Sequence, residues 1–419
     1  MNKFCRSERS KMSESPIQTA NIGSSDEQQS ETDMWKLASE KARRIVETGE
    51  TFDYIFNVWQ RQHHGDTAIG KILILSIGNG SISNSKGYHV QVNGAGGGGK
   101  SDAAHQVAIL TDPLYILDSA LTPQVLYYPT EGFIDGSIVL VDDIVWNSEL
   151  GVSIKRITSK FQDGGERTVT TDGAGIKQKS NKRLTFWVTC VDNQCDEQLR
   201  DRFAASDIDE SSAHVEEVLE TLKEQDAGMT TNPEDTILTT KVCQALIRDL
   251  RTHLIDVIIP FAKRIEFKGD IRAYRMFSDM IRCFAVYAYA KRERDAYGRL
   301  IATKDDFWKA KELYEELGGH NRDKYSKAET DVLNAILACG NHTATKADLQ
   351  EKTALSSGRL GDILNGRGKG DQQKHGLLYK CSALTVDYSK KPFTFKLPAD
   401  FSPNRSCQVS LKDEVRTDT

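Results

Sequence analysis

The segment VNGAGGGGKSDAA, Val92 to Ala104, sets Gly94, Gly96, Gly97, Gly98 and Gly99 directly before Lys100 and Ser101. It fits the pattern G-x-x-x-x-G-K-[ST], in which glycines let backbone N–H groups converge on phosphates at the start of a helix. A flexible glycine linker is the alternative, and the neighbours decide between the two. YHVQV before the segment reads as a buried strand, and KSDAAHQVAIL after it reads as a helix, which is the order a phosphate loop needs. In that role Lys100 reaches the β- and γ-phosphates of ATP, and Ser101 holds Mg2+. Gly96 to Gly99 form an unbroken run where the pattern fixes only the last, so this loop is expected to be mobile when empty and to order on phosphate.

Further along, SIVLVDD (Ser137 to Asp143) sets four apolar residues before two acids. Alone, such a run marks only a strand entering a turn. After a phosphate loop it reads as the second half of a nucleotide site, with Asp142 holding the metal through water and Asp143 polarising the attacking water. The strand-like TFWVTCV ends at Asp192 and Asn193, where a polar side chain would sense the γ-phosphate. QLRDRF then supplies Arg200 and Arg202, where a ring-forming ATPase would need an arginine to add positive charge to a neighbouring subunit's site as negative charge develops there. Taken by itself, QLRDRF equally suits helix-end arginines paired with Asp196 or Asp201.

Between Gly87 and Phe203, runs suited to buried strands (YHVQV, IVLVDD, RLTFWVTCV) alternate with helical segments, which argues an α/β domain with a parallel sheet covered by helices. The chain divides as follows: a polar, disordered tail over 1–32, two short helices over 33–66, the sheet core over 67–210 and a helical region over 211–320. Three helices and an alternating hairpin follow over 325–400 and suggest a winged helix, with a second polar tail over 401–419. With a net charge of −5 the chain is not broadly basic, so any contact with nucleic acid must use locally concentrated charge. No apolar run is long enough to span a membrane and the N-terminus lacks a secretory core, so a cytoplasmic protein is expected. The eight cysteines show no CxxC pair and read as free thiols.

ERTVTTDGAGIKQKSNKRLTFW reads as a hairpin with Lys177, Lys179, Lys182 and Arg183 near its turn. In a ring such loops would line a channel and follow the phosphate backbone of DNA; an edge hairpin whose lysines deter aggregation is the alternative. In the C-terminal unit, SSGRLGDILNGRG would be a recognition helix presenting Arg359 and Arg367, with Lys380, Lys390 and Lys391 on the wing. Asp348, Glu351 and Asp362 leave packing against a protein partner equally open.

These motifs together resemble AAA+ ATPases of the pre-sensor-1 hairpin group, and most closely the minichromosome-maintenance-like helicases of mobile elements and viruses. The similarity runs from about Thr67 to Leu313 and includes KILILSIGNGSISNSKGYHVQVNG, IKRITSKFQ and DVIIPFAKRIEF. It implies an AAA+ P-loop domain with a helical lid. Lys100 and Ser101 would form Walker A, and Asp142 and Asp143 Walker B. Asp192 or Asn193 would be sensor 1, Arg202 the arginine finger, and Arg272 in DIRAYRMF sensor 2. The basic hairpin falls where that group inserts its pore loop. The implied protein is a homo-oligomer, expected to be a hexamer, that hydrolyses ATP with Mg2+ to move along DNA, beside a primase. Two features depart from the group. Asp143 stands where Glu is commoner, which shortens its reach, and about 60 residues of tail and helix replace the large N-terminal domain of the cellular helicases.

Overall fold

The computed structural model describes residues 25–94, 99–118, 122–128, 134–144, 148–171, 174–190, 199, 202–209, 212–228, 233–268, 270–317, 327–367, 374–381, 383–389, 391–399, 401 and 409–412. Helix α1 (Ser25–Thr48) starts inside the stretch assigned by composition to a tail, because EQQSETD, with its Glu and Gln side chains, favours helix and runs directly into the apolar stripe that begins at Trp35. That stripe (Trp35, Ala38, Ala42, Ile45) packs on a later helix, where Lys241 and Arg248 lie over the Trp35 ring at 4.9 and 4.6 Å. Helices α2 (Thr51–Gln60) and α3 (Thr67–Asn79) meet at Gly70, where a Cβ would stand about 2.5 Å from the Trp59 ring. Only glycine permits this approach.

The core alternates as expected: β1 (His89–Asn93), α4 (Lys100–Leu110), β2 (Ile116–Asp118), β3 (Ile138–Val141), α5 (Ser148–Ser159), the hairpin β4 (Glu166–Thr171) and β5 (Ala174–Lys179), β6 (Thr185–Cys190) and β7 (Phe203–Asp207). Five of these strands form one parallel sheet in the order β2-β3-β6-β1-β7. Their side chains alternate between two cores. Val90, Val92, Ile138, Leu140, Trp187 and Ala204 face one, shared with α3 and α4; Val139, Val141, Phe186, Val188 and Phe203 face the other, under α5.

Helices α6 (Ser212–Asp226), α7 (Pro233–Arg251), α8 (Ile271–Tyr287) and α9 (Lys304–Glu316) follow, with the short strands β8 (Val257–Ile258), β9 (Ile265–Phe267) and β10 (Leu300–Ile301) between them. Helix α8 lies along α3, and Tyr287 donates a hydrogen bond to the Ile74 carbonyl. The last unit has its own core and consists of α10 (Lys327–Leu337), β11 (Thr343–Thr345), α11 (Lys346–Thr353), α12 (Ser357–Asn365), the short pair β12 (Gly366–Arg367) and β13 (Lys374–His375), α13 (Leu377–Lys380), β14 (Thr385–Asp387) and β15 (Thr394–Lys396). Strands β11, β15 and β14 form a three-stranded antiparallel sheet. The polar tail assigned to 401–419 is corrected in one place. Val409–Leu411 is a strand, β16, paired antiparallel with β9, because Val409 and Leu411 alternate with Ser410 and bury 2% and 4% exposed side chains against the main core.

Candidate functional site

Strand β1 delivers the chain to the phosphate loop at the carboxyl end of the sheet. Gly94 N–H donates to Cys190 O of β6 at 3.2 Å, which fixes where the loop departs. Ala95 to Gly98 lie outside the described residues, so the expectation for Gly96, Gly97 and Gly98 is not addressed; Gly99 caps α4 at φ +89°, a conformation that favours glycine. Lys100 is buried, and its Nζ is 2.9 Å from Asp143 Oδ1. Ser101 Oγ donates to Asp142 Oδ1 at 2.6 Å. The Lys100-Ser101 pair and the Asp142-Asp143 pair, with Ser101 and Asp142 41 positions apart in sequence, thus share one corner. A hydroxyl and a carboxylate oxygen this close form a hard-oxygen donor pair that suits Mg2+ shared with phosphate, and the N-terminus of α4 beside them suits the phosphate itself.

Thr189, not singled out by sequence, organises this corner from β6, the strand between β1 and β3. Its Oγ1 donates to Asp142 Oδ1 at 2.5 Å and accepts Asp143 N–H at 2.8 Å, and its carbonyl accepts Ile144 N–H at 2.9 Å. The signal available in sequence was a polar residue inside the apolar run TFWVTCV. Desolvation pushes the Asp142 pKa up, but the hydrogen bonds from Ser101 and Thr189 outweigh it and hold the carboxyl below its usual range. Asp143 sits at φ +43°, which turns its carboxylate back toward Lys100. Asp192 and Asn193 follow β6 but lie outside the described residues, as does Arg200.

Arg202 and Arg272 occupy the opposite end of the sheet. β7 begins at Phe203, in register with His89 at the start of β1, while Asn93 at the end of β1 faces Asp207. Arg202 is therefore roughly 15 Å along the strands from the phosphate loop, at about 3.3 Å per residue. It lines a cavity of about 210 Å³ with Arg272 and Arg275 of α8, Lys86 before β1 and Lys160 after α5. Two acids share the wall, Asp163 and the buried Asp279, and Asp279 is bound by Arg282 at 2.8 Å, Ser85 Oγ at 2.8 Å and Lys86 N–H at 3.0 Å. His89 also lines it: burial and then the neighbouring Arg202 charge push its pKa down to about 3, and its Nδ1 accepts Phe186 N–H at 3.3 Å. Sequence pointed to Arg202 and Arg272 separately; it gave no sign of Lys86, Lys160 and Arg275 beside them.

The hairpin β4–β5 stands where sequence placed it, between α5 and β6, with its turn residues 172–173 outside the described residues. Lys177 is exposed, Lys179 lies 3.8 Å from Glu166, and Lys182 is exposed beside Asp135, which accepts its backbone N–H at 2.8 Å. Arg167 stacks over Tyr127 at 4.5 Å and bonds Gln178 at 2.7 Å, which stiffens the hairpin base. In the C-terminal unit, α12 buries Leu360, Ile363 and Leu364 and exposes Arg359 one turn before Asp362. Arg367 pairs with Lys374 through its backbone, and its side chain, like those of Lys380 and Lys390, lies outside the described residues; Lys391 is exposed. Among the described residues no helix is long and apolar enough to cross a membrane.

A parallel sheet with a glycine-capped helix, a lysine and two acids converging at its carboxyl end defines a P-loop nucleotide-binding domain. Residues 36–253, just over half of the 419, match the family described as the MTBMA_p00010 P-loop domain, and the chain belongs to that family. A relative in Methanothermobacter marburgensis, the uncharacterized protein MTBMA_p00010, is 25% identical over 358 residues, covering 78% of this chain and 44% of the relative. The chain thus spans less than half the length of that protein.

Proposed function

We propose that the chain is a cytoplasmic, ATP-dependent DNA translocase or helicase that works as a homohexameric ring in the replication of a mobile element or virus, beside a primase. The observation that carries this reading is the separation of two half-sites. The P-loop corner holds what binds a nucleotide and its metal, and the far end of the sheet carries Arg202 and Arg272 among other cations, too distant to reach their own chain's nucleotide. Two copies stacked head to tail bring the halves together, and a head-to-tail contact repeated by rotation closes a ring.

In this reading Lys100 binds the γ-phosphate, Ser101 and Asp142 hold Mg2+, Asp143 orients the attacking water, and Asp192 or Asn193 senses the phosphate. Mg2+, when bound, neutralises charge on the phosphate oxygens. Arg202 and Arg272 come from the neighbour as arginine finger and sensor 2. The position of β6 between β1 and β3 supports a sensor at its end, since that end lies between Lys100 and Asp142. Lys177, Lys179 and Lys182 would follow single-stranded DNA in the pore. The order helix, strand, two helices, hairpin in the C-terminal unit supports a winged helix that carries Arg359 and Arg367 toward duplex DNA.

A second reading, an initiator or loader that uses ATP as an assembly switch, is favoured by Asp143: its short side chain is engaged by Lys100, which suits slow turnover. Hydrolysis assays with and without single-stranded DNA, together with strand displacement, test both. The helicase reading predicts DNA-stimulated hydrolysis and displacement, both lost in Lys100→Ala. Stimulation without displacement would favour the loader, and hydrolysis indifferent to DNA would overturn both.

A further inference from the structure

Behind the P-loop helix lies a charged cluster that the nucleotide chemistry does not use. His63, 7% exposed, sits in the connection between α2 and α3. Its Nδ1 is 2.7 Å from Asp102 Oδ2 and its Nε2 is 3.2 Å from Asp66 Oδ2. Ionised carboxylate oxygens only accept hydrogen bonds, so a neutral imidazole, with one N–H, would turn a lone pair against one of them. The geometry calls for both nitrogens to donate.

The cluster joins three segments. Asp102 is in the first turn of α4, next to Ser101. Asp66 precedes α3 at φ +46°, and its Oδ1 accepts the N–H of Asp209, just beyond β7, at 2.9 Å. The His63 ring packs 4.9 Å from Trp59, whose Nε1 donates to Ala103 O of α4 at 3.3 Å. An acid beside Ser101 steadies the start of an empty helix but opposes a polyanion arriving there.

Resting on the nucleotide-binding reading above, we propose that His63 is a positioning residue for ATP: it cancels the charge of Asp102 beside the phosphate site and pins the first turn of α4 to the loop before α3. Burial alone would push the His63 pKa down, but the hydrogen bonds and charges of Asp102 and Asp66 outweigh it and raise the pKa to about 9, so the ring is charged at neutral pH.

Calorimetric binding of Mg2+ with a hydrolysis-resistant ATP analogue, with kcat measured in parallel, separates charge cancellation from a general packing role. His63→Gln is expected to weaken binding about tenfold, roughly 1.4 kcal/mol, with kcat within about twofold of wild type. Adding Asp102→Asn should bring affinity back to within about threefold, because the uncancelled charge is gone. Unchanged affinity in His63→Gln, or a double variant as weak as the single, would overturn the proposal. Asp102→Asn alone, which leaves His63 paired with Asp66, should bind at least as tightly as wild type, and weaker binding would also overturn it. Hydrogen exchange without nucleotide reads the pinning separately: His63→Gln should speed exchange at the Ala103 and Asp209 amides more than at the core amides of the sheet, and unchanged exchange there would contradict it. A wild-type protein that binds no nucleotide would overturn the functional reading, while the exchange measurement would still decide the pinning.

Discussion

The two ends of the parallel sheet are built by opposite means. At the carboxyl end, Gly99, Lys100 and Ser101 are neighbours in sequence, and among the described residues Asp142, Asp143 and Thr189 are brought in from the ends of β3 and β6. At the amino end, the cations come from separate segments: Lys86 before β1, Lys160 after α5, Arg202 before β7, and Arg272 and Arg275 on α8. The difference follows from what each end must do. Holding phosphates takes converging backbone N–H groups, which only a continuous loop and helix start can supply. Presenting positive charge takes long side chains on rigid elements, and these can be gathered from anywhere in the fold.

The largest effect should come from breaking the carboxyl end. Lys100→Ala is expected to lower kcat/KM for ATP at least about 10³-fold, with the circular dichroism spectrum unchanged. Arg202→Ala should come next, lowering kcat on the order of 10²- to 10³-fold while the affinity of dilute subunits for Mg2+ and ATP stays put, as the proposed ring has the arginine act on another copy's nucleotide. Equal losses in affinity and kcat would place Arg202 in its own chain's site and erase the contrast between the ends. Thr189→Val keeps the volume but removes the hydrogen bond to Asp142 and the acceptor for Asp143 N–H. A loss of about tenfold in kcat is expected, with unfolding free energy lower by about 1–2 kcal/mol.

A smaller effect is expected from two histidines held in opposite charge states at the two ends. His63, held charged near the carboxyl end between Asp66 and Asp102, has its pKa raised to about 9. Its contribution to stability is complete below the unfolded value of about 6.5 and is lost as pH rises through about 9. His89, held neutral at the amino end, has its pKa lowered to about 3. Its contribution is complete above about 6.5 and is lost as pH falls toward 3. Thermal midpoints across this range should therefore lose the alkaline slope in His63→Gln and part of the acid slope in His89→Gln. Slopes unchanged in both variants would contradict these assignments.

Much of the fold was legible because its signals are local. The strand and helix flanking the glycine run, the apolar run into Asp142 and the two strands of the hairpin before β6 read directly from periodicity. What escaped depends on register or on a single tertiary contact. Thr189 looks like any β-branched strand residue until β6 is known to run beside Asp142. His63 looks like half of an exposed His-His pair until Asp66 and Asp102 close on it. Val409 to Leu411 is too short a strand to stand out from a polar terminus, and only its pairing with β9 gives it a partner. The start of α1 at Ser25 eluded composition because helix-favouring polar residues look the same in a tail and in an exposed helix.

Completion of each end by the other between copies is open to a direct test, the mixing of two inactive variants. Lys100→Ala keeps an intact amino end and Arg202→Ala an intact carboxyl end, so a mixed assembly contains interfaces where an intact P-loop corner faces an intact arginine. ATP hydrolysis in the mixture is expected to rise well above either variant alone, toward about a quarter of the wild-type rate for random assembly. A mixture no more active than its components, under conditions where wild-type protein assembles and hydrolyses ATP, would contradict the claim.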